Sequence, residues 1–296
     1  LKRNDFVVEK RMKIEKHVLA AVGEDISQLY GVRFICSFFK NKPALKVALL
    51  YVMPDESGTG GASKPVLTHF GKQALNVCER GLKTAQQFLT DRGFPIEHVS
   101  CKLMPKSFGT IKDIVREGRA GMYDAVVLGR RGYTIFENLL SQSVSRQMMD
   151  HEITFPLWIC RQPEEGRKNV LLCIDGSEAG LRIADHVGFM LHDEEEHHVT
   201  IFQVDTGAEE NMKASMDEAK RALTDNGIPE ERINTRTRSS GKVAEAILQE
   251  ARDGAYAVVA VGRVGIQKGA LKQWLVGSTS IKLLDSLDKA VLWVSR

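Results

Sequence analysis

The sequence predicts two tandem α/β domains, each a doubly wound parallel sheet with strand order 3-2-1-4-5, on three observations. The chain repeats itself: Gly121-Met-Tyr-Asp-Ala-Val-Val-Leu-Gly129-Arg-Arg-Gly132 recurs as Gly254-Ala-Tyr-Ala-Val-Val-Ala-Val-Gly262-Arg-Val-Gly265, with six of twelve positions identical. Apolar runs rich in Val, Ile and Leu alternate with amphipathic stretches, the pattern of right-handed strand–helix–strand crossovers. In both copies of the repeat an apolar run ends in Gly-Arg-x-Gly and leads towards a helical stretch, which is how a parallel sheet offers backbone N–H groups to an anion.

The copies stay aligned beyond the glycines. Asp91-Arg-Gly93-Phe-Pro95 matches Asp225-Asn-Gly227-Ile-Pro229, and Leu157-Trp158 matches Leu292-Trp293. A period of this length is a duplicated domain, since solenoid repeats recur every 20–50 residues. The expected domains span 1–161 and 168–296, joined by the short polar linker Gln162-Pro-Glu-Glu-Gly-Arg-Lys168.

In chain order, the first half reads as strand 18–22, helix 25–39, strand 46–53, helix 66–91, strand 98–103, helix 110–119, strand 124–128, a helix through 144–150 and strand 156–160. The second half reads as strand 170–174, helix 178–191, strand 199–204, helix 209–226, strand 232–237, helix 242–252, strand 255–261, helix 279–287 and strand 290–294. The run 170–174 is apolar at every position, as in a sheet covered on both faces. Val243, Ala246, Ile247 and Ala251 follow the three- and four-residue spacing of a helix with one buried face. Asp175-Gly-Ser177 reads as a turn and N-cap entering the helix at 178.

Composition narrows the classes. At 296 residues, 43% hydrophobic and 27% charged, the chain is ordinary globular protein. A net charge of +3, without a concentrated basic face, disfavours a nucleic-acid partner. No apolar run approaches the roughly 18 residues of a membrane span. Cys36, Cys78, Cys101, Cys160 and Cys173 are scattered and read as reduced core residues, which points to the cytoplasm. No charged segment followed by an apolar one opens the chain, so secretion is not predicted. The first residue is Leu1, which leaves a larger parent protein open.

The chemistry gathers at expected strand ends in the second half. Asp175 ends the first strand, Gly262-Arg263-Val-Gly265 ends the fourth, and Gly277-Ser278-Thr279 opens the last helix. In a 3-2-1-4-5 sheet strands one and four flank the switch point, where ligands bind. Asp175 is placed to accept hydrogen bonds from a base or ribose. Gly262 and Gly265 let backbone approach a phosphate, having no Cβ. The helix N-terminus favours an anion by about 0.3–1 kcal/mol per charge. Together these parts fit a nucleotide.

In this order of elements the chain resembles the universal stress protein family in its tandem, two-domain form, with Rossmann-like domains. ATP-binding members of that family carry Gly-x-x-Gly, nine residues, then Gly-Ser/Thr, with an Asp ending the first strand. The resemblance implies that Asp175 and the neighbourhood of Gln203 and Val204 meet adenine, and that Gly262 and Arg263 meet ribose. It implies that Gly265, Gly277, Ser278 and Thr279 meet the phosphates of ATP or ADP, with or without Mg2+. It also implies that the last strands, 156–160 and 290–294, pair the domains within one chain, with homodimerisation through another face as a further option.

Both halves depart from the family pattern. Eleven residues, 266–276, separate Gly265 from Gly277. The first half retains Gly129, Arg130, Gly132 and Ser143, but Gln142 stands where the second glycine belongs and Gly23 where the acid does. It is the weaker site. Arg130 and Arg263 face either phosphate or solvent.

Other features read more plainly. Residues 56–63 are a Gly-rich flexible loop, and Ser240-Gly-Lys242 lacks the remainder of a Walker motif. His192, His197 and His198 around Glu194, Glu195 and Glu196 read as a solvated turn, not a metal site. No catalytic Ser/His/Asp or Cys/His set can be assembled. The expected function is an ATP-linked stress sensor or regulator with at most slow hydrolysis. One alternative is a ligand-free interaction scaffold; another is a soluble regulatory part of a transporter or kinase.

Overall fold

Val170, Leu171, Leu172 and Cys173 are all buried, and a strand buried on both faces has to lie inside a covered sheet. The structure, a computed structural model, describes residues 15–23, 29–53, 69–129, 153–207, 212–262 and 278–295. Its first half runs β1 (Lys16–Ala21), α1 (Tyr30–Phe38), β2 (Leu45–Met53), α2 (His69–Thr90), β3 (Val99–Pro105), α3 (Thr110–Ala120), β4 (Ala125–Gly129) and β5 (Leu157–Cys160). The second half runs β6 (Val170–Ile174), α4 (Glu178–Leu191), β7 (Val199–Asp205), α5 (Met212–Asp225), β8 (Ile233–Ser239), α6 (Val243–Asp253), β9 (Val258–Gly262), α7 (Ser278–Ser286) and β10 (Val291–Ser295). The helix expected through 144–150 and the loop expected at 56–63 lie outside the described residues.

The strands form one ten-stranded sheet in the order β3-β2-β1-β4-β5-β10-β9-β6-β7-β8. Each half therefore has the expected 3-2-1-4-5 order, and every pairing inside a half is parallel. The register is also shared: Val18 pairs with Val47 as Val170 pairs with Val199, an offset of 152 residues. One face of the sheet packs on α1, α2, α4 and α5 through residues such as Ile35, Leu89, Ile183 and Leu223. The other packs on α3, α6 and α7 through Ile114, Ile247 and Leu283.

Several element boundaries differ from the sequence reading, two of them for a backbone reason. The strand expected over 255–261 begins only at Val258, because Ala255 sits at φ 47° and turns the chain first. Met122 does the same in the first copy, at φ 49°. Glu230–Arg232 form a 3₁₀ turn, so β8 starts at Ile233 and not at 232.

Between the halves, β5 and β10 run antiparallel with Trp158 opposite Trp293. Their rings stack at 4.4 Å and 8°. Phe34 meets both indoles edge-on, at 6.2 and 6.4 Å. His186, 152 residues on from Phe34, takes the corresponding place: its Nε2 accepts from Trp158 Nε1 at 3.1 Å. A benzene ring offers no such acceptor, and among the described residues Trp293 Nε1 is buried without one.

A polar cluster lies beside this stack. Glu194 accepts from the backbone N–H groups of Lys40 (2.9 Å) and Asn41 (3.1 Å). Lys16 Nζ donates to the carbonyl of His192. His197 stacks on Phe38 at 4.3 Å, with Nε2 3.0 Å from Phe38 O and Nδ1 2.6 Å from Lys168 O. The expected solvated turn is thus corrected: Glu194 and His197 are only 2% and 1% exposed, because residues of the first half cover them. Glu195, Glu196 and His198 are exposed. Burial holds Lys16 below the usual ammonium range and Glu194 above the usual carboxylate range.

Two outcomes follow. Trp158→Phe should destabilise the protein more than Trp293→Phe, by about 1–2 kcal/mol in urea unfolding, since only the first substitution removes a hydrogen bond and strands an acceptor. Equal losses would show that the Trp158–His186 bond contributes nothing. The second concerns pH. Burial pushes His186 down to about 3 and lowers His197 from the ordinary 6.5. In the unfolded chain both take up a proton near 6.5, whereas the folded chain resists it. Stability should be full above that value and fall as pH drops towards the folded pKa, by up to about 1.4 kcal/mol per pH unit per histidine. Denaturation midpoints at pH 7.5, 6 and 5 test this, with His186→Phe expected to flatten the profile. A wild-type midpoint unchanged by acid would refute it.

Candidate functional site

In the second half the first and fourth strands are neighbours, with Cys173 of β6 opposite Val261 of β9, and β7 lies on the other side of β6. The carboxyl ends of β6 and β9 therefore flank the switch point of that half. Asp175 follows β6 directly, and its side chain is exposed. Its Oδ1 accepts from Ser177 N at 3.0 Å and from Ser177 Oγ at 2.5 Å. Gly176 makes the turn at φ 74°, open to glycine without strain. Ser177 is the N-cap of α4, its Oγ accepting from Gly180 N at 3.1 Å. The N-cap role and a carboxylate at the mouth coexist.

Gly262 ends β9 close to this turn. A Cβ there would lie 2.5–2.7 Å from Ala179 C and O and from Gly180 N. The missing side chain lets the strand end meet the first turn of α4. That is a packing requirement for glycine which the sequence reading did not contain, and it brings β9, the Asp175 turn and the helix N-terminus into one place.

Gln203 and Val204 end β7 with their side chains on opposite faces, as alternation along a strand demands. Gln203 lies opposite Ile174 and Thr237 and is 1% exposed. Val204 packs in the α6 and α7 layer. Asp205, one residue on and not singled out from sequence, accepts from Gly207 N (2.8 Å) and Ser239 Oγ (3.2 Å), tying the ends of β7 and β8 together. Ser278 and Thr279 open α7, with Thr279 half-buried. Arg263, Gly265 and Gly277 lie outside the described residues, as do Arg130, Gly132, Gln142 and Ser143.

The first half offers a direct comparison. Ala21 pairs with Leu128 as Cys173 pairs with Val261, so Gly23 stands at the place of Asp175. Gly129 ends β4 opposite Cys160. At the register of Asp175 the first half thus carries a glycine, without a side chain.

The model of the Universal stress protein family matches residues 166–295. Among solved structures, a universal stress protein from Archaeoglobus fulgidus DSM 4304 aligns over 96% of this chain and 97% of its own, with a TM-score of 0.65 and 14% identity. A putative universal stress protein from Pseudomonas aeruginosa UCBPP-PA14 aligns over 96% and 94%, at TM-score 0.52 and 16% identity. A functionally unknown protein from Pseudomonas aeruginosa PAO1 aligns over 96% and 93%, at TM-score 0.52 and 18% identity. No curated protein sequence matches the chain. Identities this low establish a shared fold, whereas the family match rests on sequence. Residues 166–295 of this chain thus belong to the universal stress protein family, and the first half repeats their strand order.

Proposed function

We propose that this chain is an adenine-nucleotide-binding sensor or regulator that holds ATP or ADP in its second half. The observation that carries the reading is Asp175 at the mouth of the second switch point, with Gly23 at the same register in the first. In this reading the chain divides into domains at 1–161 and 168–296. Asp175 and the end of β7 at Gln203 and Val204 meet the base. Gly262 and Arg263 meet the ribose, and Gly265, Gly277, Ser278 and Thr279 the phosphates. The first-half set of Gly129, Arg130, Gly132 and Ser143 is the weaker site. Among the described residues no group of three or more His, Cys, Asp or Glu could hold a metal ion. A Mg2+ arriving with the nucleotide would therefore rest mainly on phosphate oxygens and water. In this reading hydrolysis is at most slow, since the motif residues themselves, Gly262-Arg-Val-Gly265 and Gly277-Ser-Thr279, supply no general base. The free cysteines, four of them buried, fit a reducing cytoplasm. Among the described residues no helix is long and apolar enough to cross a membrane.

The scaffold reading is favoured by one observation. Gly262 is needed for packing on α4 whether or not a ligand binds. Titration calorimetry with ATP and ADP separates the two. Wild-type protein should bind, and Asp175→Ala should weaken binding about ten- to a hundredfold, the loss of a charged acceptor worth about 1.5–3 kcal/mol. Gly277→Gln, which places the first half's Gln142 at the corresponding position, should weaken it as well. No heat of binding with wild type, or equal affinity in both variants, would overturn the nucleotide reading.

A further inference from the structure

Because β5 runs antiparallel to β10, the chain leaves β5 beside the start of β10, at the end of the second half's sheet away from the switch point. Arg161 follows β5 directly. Its Nη1 donates to the carbonyls of Leu284 (3.2 Å) and Asp285 (2.5 Å). Both lie in the last turn of α7, where a helix leaves its carbonyls without intrahelical partners. The next residues continue along the same corner. Glu164 N donates to Lys289 O at 2.9 Å, and the Glu164 carboxylate accepts from Arg167 Nε and Nη2 at 2.8 and 2.6 Å. Arg167 Nη1 in turn donates to Tyr256 O at 3.3 Å, just before β9. The short polar connector therefore grips α7, the turn into β10 and the turn into β9. Two of these elements, α7 and β9, carry Ser278, Thr279 and Gly262 at their opposite ends.

The grip matters most for α7. It has nine residues, and isolated helices shorter than about 12 residues are marginal in water. Its order has to come from anchors. Leu283, Leu284 and, just beyond the helix, Leu287 are buried. Lys282 pairs with Glu245 of α6 at 2.7 Å, but both side chains are about half-exposed, so that pair contributes little. The electrostatics of its carboxyl end are unfavourable within the helix itself. Its last turn holds Asp285 and no basic residue, whereas α6 has Arg252 there. Arg161 supplies the missing cation from the strand that ends the first half. A cation at the carboxyl end and an anion at the amino end stabilise one and the same set of peptide dipoles, so the two are linked, each favouring the other.

We propose that Arg161 is a positioning residue for the phosphate end of the second-half site. By capping α7 from the first half, it holds the amino end of that helix, at Ser278 and Thr279, ready for the phosphates of the nucleotide. The inference rests on the nucleotide reading above. It gives the first half a part in the second-half site that needs no ligand of its own. The base end of that site, at Asp175 and the end of β7, is built on other elements, so the influence of Arg161 falls on phosphate and not on base.

The test is calorimetric titration of the full chain with ATP and with adenosine, which has the base and ribose but no phosphate. Arg161→Ala should weaken ATP about three- to tenfold and leave adenosine unchanged. Arg161→Lys, which keeps the charge but loses the planar fork of donors, should show an intermediate loss, and it carries the same comparison where Arg161→Ala melts below the assay temperature. Hydrogen exchange of the α7 amides should be faster in Arg161→Ala, and ATP should slow it in the wild type. Undiminished ATP affinity in Arg161→Ala would overturn the inference while leaving the nucleotide reading intact. Equal weakening of ATP and adenosine would overturn it too, since Arg161 would then support the fold at large and not the phosphate end. Failure of wild type to bind ATP at all would remove both.

Discussion

Strands that are apolar on both faces can be neither left at an edge nor exposed to water, and the architecture follows from that constraint. Helices have to cover each face, which commits each half to crossovers and to a switch point between its first and fourth strands. The last strands, β5 and β10, have few polar side chains with which to tolerate exposure, and they lie against each other at the centre of the sheet. The outer edges, β3 and β8, are the polar ones. Lys102 of β3 pairs with Glu117, and Arg236 of β8 pairs with Glu250, so both edges carry charge, which discourages further strand addition.

Those edge pairs also explain part of the repeat itself. Tyr123 OH donates to Glu117 and Tyr256 OH to Glu250, so each half carries the same basic–Glu–Tyr trio. A Cβ on Gly121 would lie 2.1 Å from the Tyr123 ring, and one on Gly254 would lie 2.2 Å from Tyr256. Two of the six identities therefore belong to the packing of a turn and not to a ligand.

How much was legible depends on whether the cause was local. The strand at 170–174 and the helix at 178–191 have the same bounds in sequence and structure, because periodicity and the Ser177 cap are both written within a few residues. The start of β9 was not legible, since Ala255, Tyr256 and Ala257 are as apolar as the strand they precede and only the backbone turn excludes them. Glu194 and His197 sit in a run of charge that reads as solvent-facing, and their cover comes from Phe38, Lys40 and Asn41, more than 150 residues earlier. At the candidate site, Asp175 and Gly262 were placed at strand ends correctly. The packing of Gly262 on the first turn of α4 required the three-dimensional structure.

Phe34 and His186 stand at equivalent places around one stacked indole pair, yet one is a hydrocarbon ring and the other an acceptor. Lys40 and Asn41 likewise present N–H groups to Glu194, a residue of the other half alone. The two halves are consequently complementary in the way of a plug and its socket. Two copies of the second half, set face to face in this geometry, would place two imidazoles beside the indole pair in place of one imidazole and one benzene ring. Joining two unlike halves in one chain thus sets one hydrogen-bond acceptor, and not two, beside a pair of indoles that are otherwise equivalent.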